Sequence, residues 1–139
     1  MASDLALSFL GQQGGMGQGV LGFALKNTTA AGCRTGGYPG VEFLGGSGQP
    51  LATTSSRSTG DFIGPTPVGS IDLGPGQTAS FRMVVGHGAA STAGCTTAAG
   101  LQVIPPNDTA TLHTTIPNGA YECGSAALSP LRPGSSAYP

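Results

Sequence analysis

Apolar and polar residues alternate with a period of two in several short stretches of this chain. Leu5, Leu7 and Phe9 share one face opposite Asp4, Ala6 and Ser8, which predicts a strand with one buried side. Leu21, Phe23 and Leu25 repeat the pattern up to Asn27, and the glycine-rich residues 11–19 between the two runs read as a flexible loop. Val41 and Phe43 predict a short third strand, and Gly45-Gly46-Ser47-Gly48 reads as a hairpin loop leading to Leu51. Residues 53–67, mostly Ser, Thr, Gly and Pro, read as a surface loop. Ile71 and Leu73, then Gly74-Pro75-Gly76, then alternating Ala79, Phe81, Met83 and Val85, predict a hairpin.

Residues 86–100 read as a small-residue loop carrying Cys95. Beyond it Leu101 and Val103 predict a strand stopped by Pro105-Pro106, and Ala110, Leu112, Thr114 and Ile116 predict another. Residues 126–131 form a last strand, which Pro130 assigns to an edge. A single domain is therefore expected over residues 1–131, followed by a loose tail over 132–139.

Composition narrows the fold class. With 25 glycines and 11 prolines, no stretch free of both exceeds ten residues. An ordinary three-turn helix would contain a breaker, so helical bundles, coiled coils and parallel α/β folds are excluded. Leu, Ile, Val and Phe make up just under a fifth of the chain, a share at which disorder has to be considered. Compositional disorder also requires high net charge, however, and here the net charge is −1 with 8% charged residues. The expectation is an all-β domain, an immunoglobulin-like β-sandwich of seven to nine short, mainly antiparallel strands, without the buried tryptophan of antibody domains because the chain has none.

Charge and motifs exclude several functions. Lys26, Arg34, Arg57, Arg82 and Arg132 are scattered singly, so no basic patch for nucleic acid is expected. No apolar run approaches the length of a membrane span. His87 and His113 stand in no metal-ligand or nucleophile spacing with the cysteines, and His113 falls on the solvent face of its strand. Asp4, Glu42, Asp61, Asp72, Asp108 and Glu122 are isolated, so no carboxylate pair can be argued; Asp72 and Asp108 lie beside turns and are expected to satisfy backbone N–H groups. The glycine-rich segment lacks a following Lys-Ser/Thr, so it is no phosphate loop. Asn27-Thr28-Thr29 and Asn107-Asp108-Thr109 match the glycosylation acceptor pattern, a match that arises often by chance. No catalytic residue, metal or cofactor is expected.

Three cysteines, Cys33, Cys95 and Cys123, are an odd number in a chain too small to bury a large core. Cys95 and Cys123 flank the hairpin expected over residues 101–116, which favours a structural disulfide between them; linkage of either to Cys33 is the alternative. Met1-Ala2-Ser3 reads as a start methionine before a mature domain whose leader has been removed. An extracellular or cell-envelope location follows as the expectation.

Taken in order, Asn27-Thr28, Cys33, Gly37-Tyr38-Pro39-Gly40-Val41, the 73–79 turn sequence, Cys95, Pro105-Pro106 and Cys123 form a recognisable series. The chain resembles the actinobacterial secreted and lipoprotein-associated domains of unknown function with four cysteines and a β-sandwich fold. The cysteine that such domains carry just before the first strand is replaced here by Met1-Ala2-Ser3. The resemblance thus implies that Cys33 has lost its partner and is a free thiol, through which adventitious dimers of an otherwise monomeric chain would form. It implies no known activity.

The expected function is a non-enzymatic accessory or binding module for an envelope glycan or protein. Its candidate recognition loops are residues 34–39, with Arg34, Tyr38 and Pro39, and residues 53–67. Tyr38 and Pro39 have a structural reading as well, shaping a turn over the core edge. The rival functions are an envelope-polymer hydrolase whose site is assembled only by folding, and a structural spacer.

Overall fold

The computed structural model describes residues 5–15, 18–51, 54–61, 64–86, 96–106, 111–122 and 125–135. Among these residues there are thirteen strands and no helix. The first seven are β1 (Leu5–Gly15), β2 (Gln18–Asn27), β3 (Cys33–Gly36), β4 (Gly40–Leu44), β5 (Thr54–Arg57), β6 (Gly60–Asp61) and β7 (Gly64–Pro65). The remainder are β8 (Ser70–Leu73), β9 (Thr78–Gly86), β10 (Thr96–Ile104), β11 (Leu112–Glu122), β12 (Ser125–Leu128) and β13 (Arg132–Pro133).

The largest sheet runs β1-β2-β9-β12-β5, with β13 also paired to β9. A second runs β11-β10-β4, β3 pairs with β8, and β6 pairs with β7. Every pairing is antiparallel except that of β12 with β5. Leu21, Phe23, Leu25, Phe81 and Met83 of the large sheet meet Phe43, Leu101, Val103, Ile71 and Leu73 of the others in one buried cluster. The molecule is thus an all-β sandwich closed by side chains from both layers. Phe9, Phe23 and Phe81 lie directly opposite one another across β1, β2 and β9. Their ring centroids are 5.5 and 5.4 Å apart, an aromatic ladder that fixes register in the core.

The strand count exceeds the expected seven to nine, because pairing reaches into segments whose composition reads as loop. β1 and β2 extend through most of residues 11–19, β5 to β7 occupy much of 53–67, and β10 begins at Thr96. β11 continues through Pro117 and Gly119, with a register shift against β10 between Ala98 and Gly100. Small polar residues form these strands because neighbouring backbones supply the hydrogen bonds, whatever the side chains contribute.

Three expectations are corrected. The Gly74-Pro75-Gly76 turn does not make a hairpin, since β8 pairs with β3 and β9 with β2, β12 and β13. The end of β2 holds the turn instead: Asn27 N donates to Gln77 O and Gly76 N to Asn27 O, both at 2.9 Å, so the chain crosses between layers there. β12 is no edge strand, because it lies between β9 and β5; it ends before Pro130, where Ser129 N donates to Arg82 O. Sheet pairing also passes Leu131, with Arg132 opposite Ser80, Pro133 opposite Ala79, and Gly134 N donating to Thr78 O. Residues 136–139 lie outside the described residues. No helix among the described residues is long and apolar enough to cross a membrane.

Candidate functional site

Four segments converge at one end of the sandwich. Leu131 N donates to Gly37 O at 2.8 Å, joining the 34–39 loop to the β12–β13 connection. Thr66 N donates to Thr59 O at 2.7 Å, joining the 64–71 segment to the connection between β5 and β6. The Arg57 guanidinium lies 5.2 Å from the centroid of the Tyr38 ring, a cation–π contact that links β5 to the first of these loops.

Between residues 65–71 and Leu131–Pro133 lies a groove of about 340 Å³. Its walls are hydrocarbon from Pro65, Pro67, Val68, Ile71, Leu131 and Pro133. Val68 is 56% exposed, one of two large hydrophobic residues so placed among those described. Polar groups enter from Thr66, Ser70 and Arg132. A second groove of about 450 Å³ adjoins it across Val68, Gly69 and Ser70 and is bounded on its far side by residues 34–37.

Gly36 lets the two sides of the second groove come together at Gly69. Its φ is +146°, and a Cβ there would collide with the Gly69 carbonyl oxygen, so only glycine lets the two backbones approach this closely.

Three buried side-chain atoms among the described residues lack a hydrogen-bond partner: Thr35 Oγ1, Thr66 Oγ1 and Arg132 Nε. Thr66 and Arg132 line the first groove and Thr35 the second. Each such group costs desolvation energy that no internal bond returns, so the polar strain of the described fold is concentrated at this one end.

Arg34 projects outward and meets Asp72, its cross-strand neighbour, with Nε 2.9 Å from Oδ1. The hydrogen bond and charge of Asp72 hold the guanidinium above its usual pKa. Both side chains are largely exposed, so the pair adds little stability. The expectation for Asp72 changes accordingly, since its carboxylate serves a side-chain partner. Tyr38 is half-buried against the core and Pro39 is buried.

His113 is exposed, and its Nε2 lies 3.0 Å from Gln102 Oε1 on the outer face of the β11-β10-β4 sheet. Among the described residues no group of three or more His, Cys, Asp or Glu side chains could hold a metal ion. Cys33 is a half-buried free thiol. Cys95, Cys123, His87 and Asp108 lie outside the described residues.

Asn27 is fully buried, and its Nδ2 donates to Ala31 O at 2.8 Å and Leu73 O at 3.0 Å. Both amide hydrogens are engaged, so the Asn27-Thr28-Thr29 match is a folding element and offers no accessible acceptor.

The sequence reading includes Pro65, Thr66 and Pro67 in a candidate loop but misses Val68, Leu131 and Arg132. Val68 carries a legible signal as an apolar residue in a Pro/Gly segment outside any alternating run. Arg132 carries none, because its role depends on β13 returning to β9.

Residues 1–132 match the model of a family described as Domain of unknown function (DUF4232). No curated protein and no solved structure matches the chain.

Proposed function

This chain belongs to the DUF4232 family, and on that premise we propose that it is a non-enzymatic binding module of the cell envelope or the extracellular space, with the groove beneath Val68 as its recognition surface. The observation that carries the reading is the lining of that groove: among the described residues it offers six hydrocarbon walls, two hydroxyls and one guanidinium, with no carboxylate, thiol or imidazole. Such a surface can bind and orient, whereas acid–base chemistry needs a proton-exchanging side chain and a Ser or Thr hydroxyl needs an adjacent base to act as a nucleophile. The envelope location is supported by the odd cysteine number in a small chain and by the resemblance drawn from the Gly37–Val41 motif.

Co-sedimentation with purified actinobacterial envelopes tests the reading. The wild-type protein is expected in the pellet and Val68→Asp, which places a charge on an exposed apolar wall, in the supernatant. Wild-type protein that stays soluble, or a variant that sediments equally well, overturns it.

A further inference from the structure

We propose that the groove between residues 65–71 and Leu131–Pro133 binds a small aliphatic carboxylate, its chain along the proline and Val68 walls and its head group on Arg132. The inference rests on the groove being the recognition surface, and it names the ligand class.

The walls set the body of the ligand. Three of the six apolar wall residues are prolines, whose fixed φ makes the surface rigid before anything binds. Val68 is left 56% exposed at the rim, where an apolar chain would cover it. A volume of about 340 Å³ falls at the low end for ligand cavities, which suits a single short chain better than a polymer.

The charge sets the head group. Among the described residues Arg132 is the one ionisable residue lining the groove, and a guanidinium stays protonated at any physiological pH. Its Nε is shut from solvent with no hydrogen-bond partner. A planar carboxylate fits a guanidinium fork through two parallel hydrogen bonds, and a small outward shift of the Arg132 side chain would bring the unpartnered Nε within its reach.

The hydroxyls supply the remaining contacts. Thr66 is 2% exposed, and its Oγ1 is the second unpartnered group at this groove. Ser70 lies on the exposed rim of the same lining. A carboxylate has four lone-pair sites, so Arg132 and one hydroxyl can be satisfied together. Of the two exposed arginines at this end, Arg34 already has Asp72 as its partner and Arg57 lies against the Tyr38 ring.

Isothermal titration at pH 7 with decanoate below its micelle concentration tests the proposal, with decanol and acetate as the arms that separate chain from charge. Decanoate is expected to bind at one site, decanol at least tenfold more weakly, and acetate without measurable heat. Arg132→Gln should weaken decanoate at least tenfold and Thr66→Val severalfold, while Arg34→Gln leaves it unchanged. Should Arg132→Gln fail to fold, the comparison of decanoate with decanol on the wild-type protein decides. Absence of decanoate binding, equal affinity for decanol, or acetate binding as tightly as decanoate overturns the proposal. Loss of decanoate binding alongside a Val68-dependent envelope association would remove the ligand class and leave the groove as the recognition surface.

Discussion

The side chain of Asn27 spans two layers of the fold by donating to the carbonyl oxygen of Leu73 at 3.0 Å. Its Oδ1 accepts from the Thr29 backbone N at 3.0 Å and from the Thr29 hydroxyl at 2.8 Å. One buried amide therefore ties the end of β2, the following loop and the end of β8. Removing it leaves the buried Leu73 carbonyl without its Asn27 donor. Asn27→Ala is expected to cost about 3 kcal/mol in urea denaturation. Asn27→Asp should be destabilising as well, since it sets an oxygen against the Ala31 and Leu73 carbonyls. Unchanged stability in both variants would show that the network is dispensable.

Gly36 and Gly46 make a matched pair. A Cβ on Gly36 would strike Gly69 O at a φ of +146°, whereas one on Gly46 meets nothing within 4 Å. Gly36→Ala should lower stability by about 2 kcal/mol or more and distort the neighbouring groove, while Gly46→Ala should stay within about 0.5 kcal/mol of wild type. Equal effects in thermal denaturation would contradict the close approach.

Tyr38 and Arg57 test whether the 34–39 loop is structural. Arg57→Ala should cost about 0.5–1 kcal/mol, the range of an exposed cation–π contact. Tyr38→Ala should cost more, because the ring also packs on the core. A double-mutant cycle should return a coupling energy near the Arg57 value. Envelope association retained by a folded Tyr38→Ala protein assigns the ring a structural role; its loss without loss of stability would place the recognition surface at Tyr38 instead.

The cysteine reading predicts a single reactive thiol. Alkylation without reduction should label Cys33 alone, at a rate slowed by its half-buried position on β3, and mass spectrometry should find Cys95 and Cys123 joined. Label on Cys95 or Cys123 would sink this assignment. Any dimer should vanish on addition of reductant.

Much of the architecture is legible because the breakers fall between alternating runs. Phe23, Leu25, Phe81 and Met83 reveal the core in their spacing alone. The partners of each strand are less legible: the Gly74-Pro75-Gly76 sequence encodes a turn, and nothing local says that Asn27, 46 residues before Leu73, will hold that turn between layers. Ser55 and Ser56 form a strand only because β12 lies alongside. The groove is hidden for the same reason. Val68 belongs to a loop and Arg132 to an expected tail, and they meet only once β13 pairs with β9. Arg82 alternates with Phe81 and Met83 along β9, yet it is fully buried and already engaged in the fold.

The most direct measurement of the central claim is an amide chemical-shift map of the labelled protein titrated with decanoate. Perturbations are expected to be confined to Thr66, Val68, Gly69, Ser70, Ile71, Leu131 and Arg132, the groove residues that carry an amide hydrogen. Perturbations centred on His113, Gln102 and Glu42, across the outer face of the β11-β10-β4 sheet, or no localised change at saturating ligand, would contradict the claim.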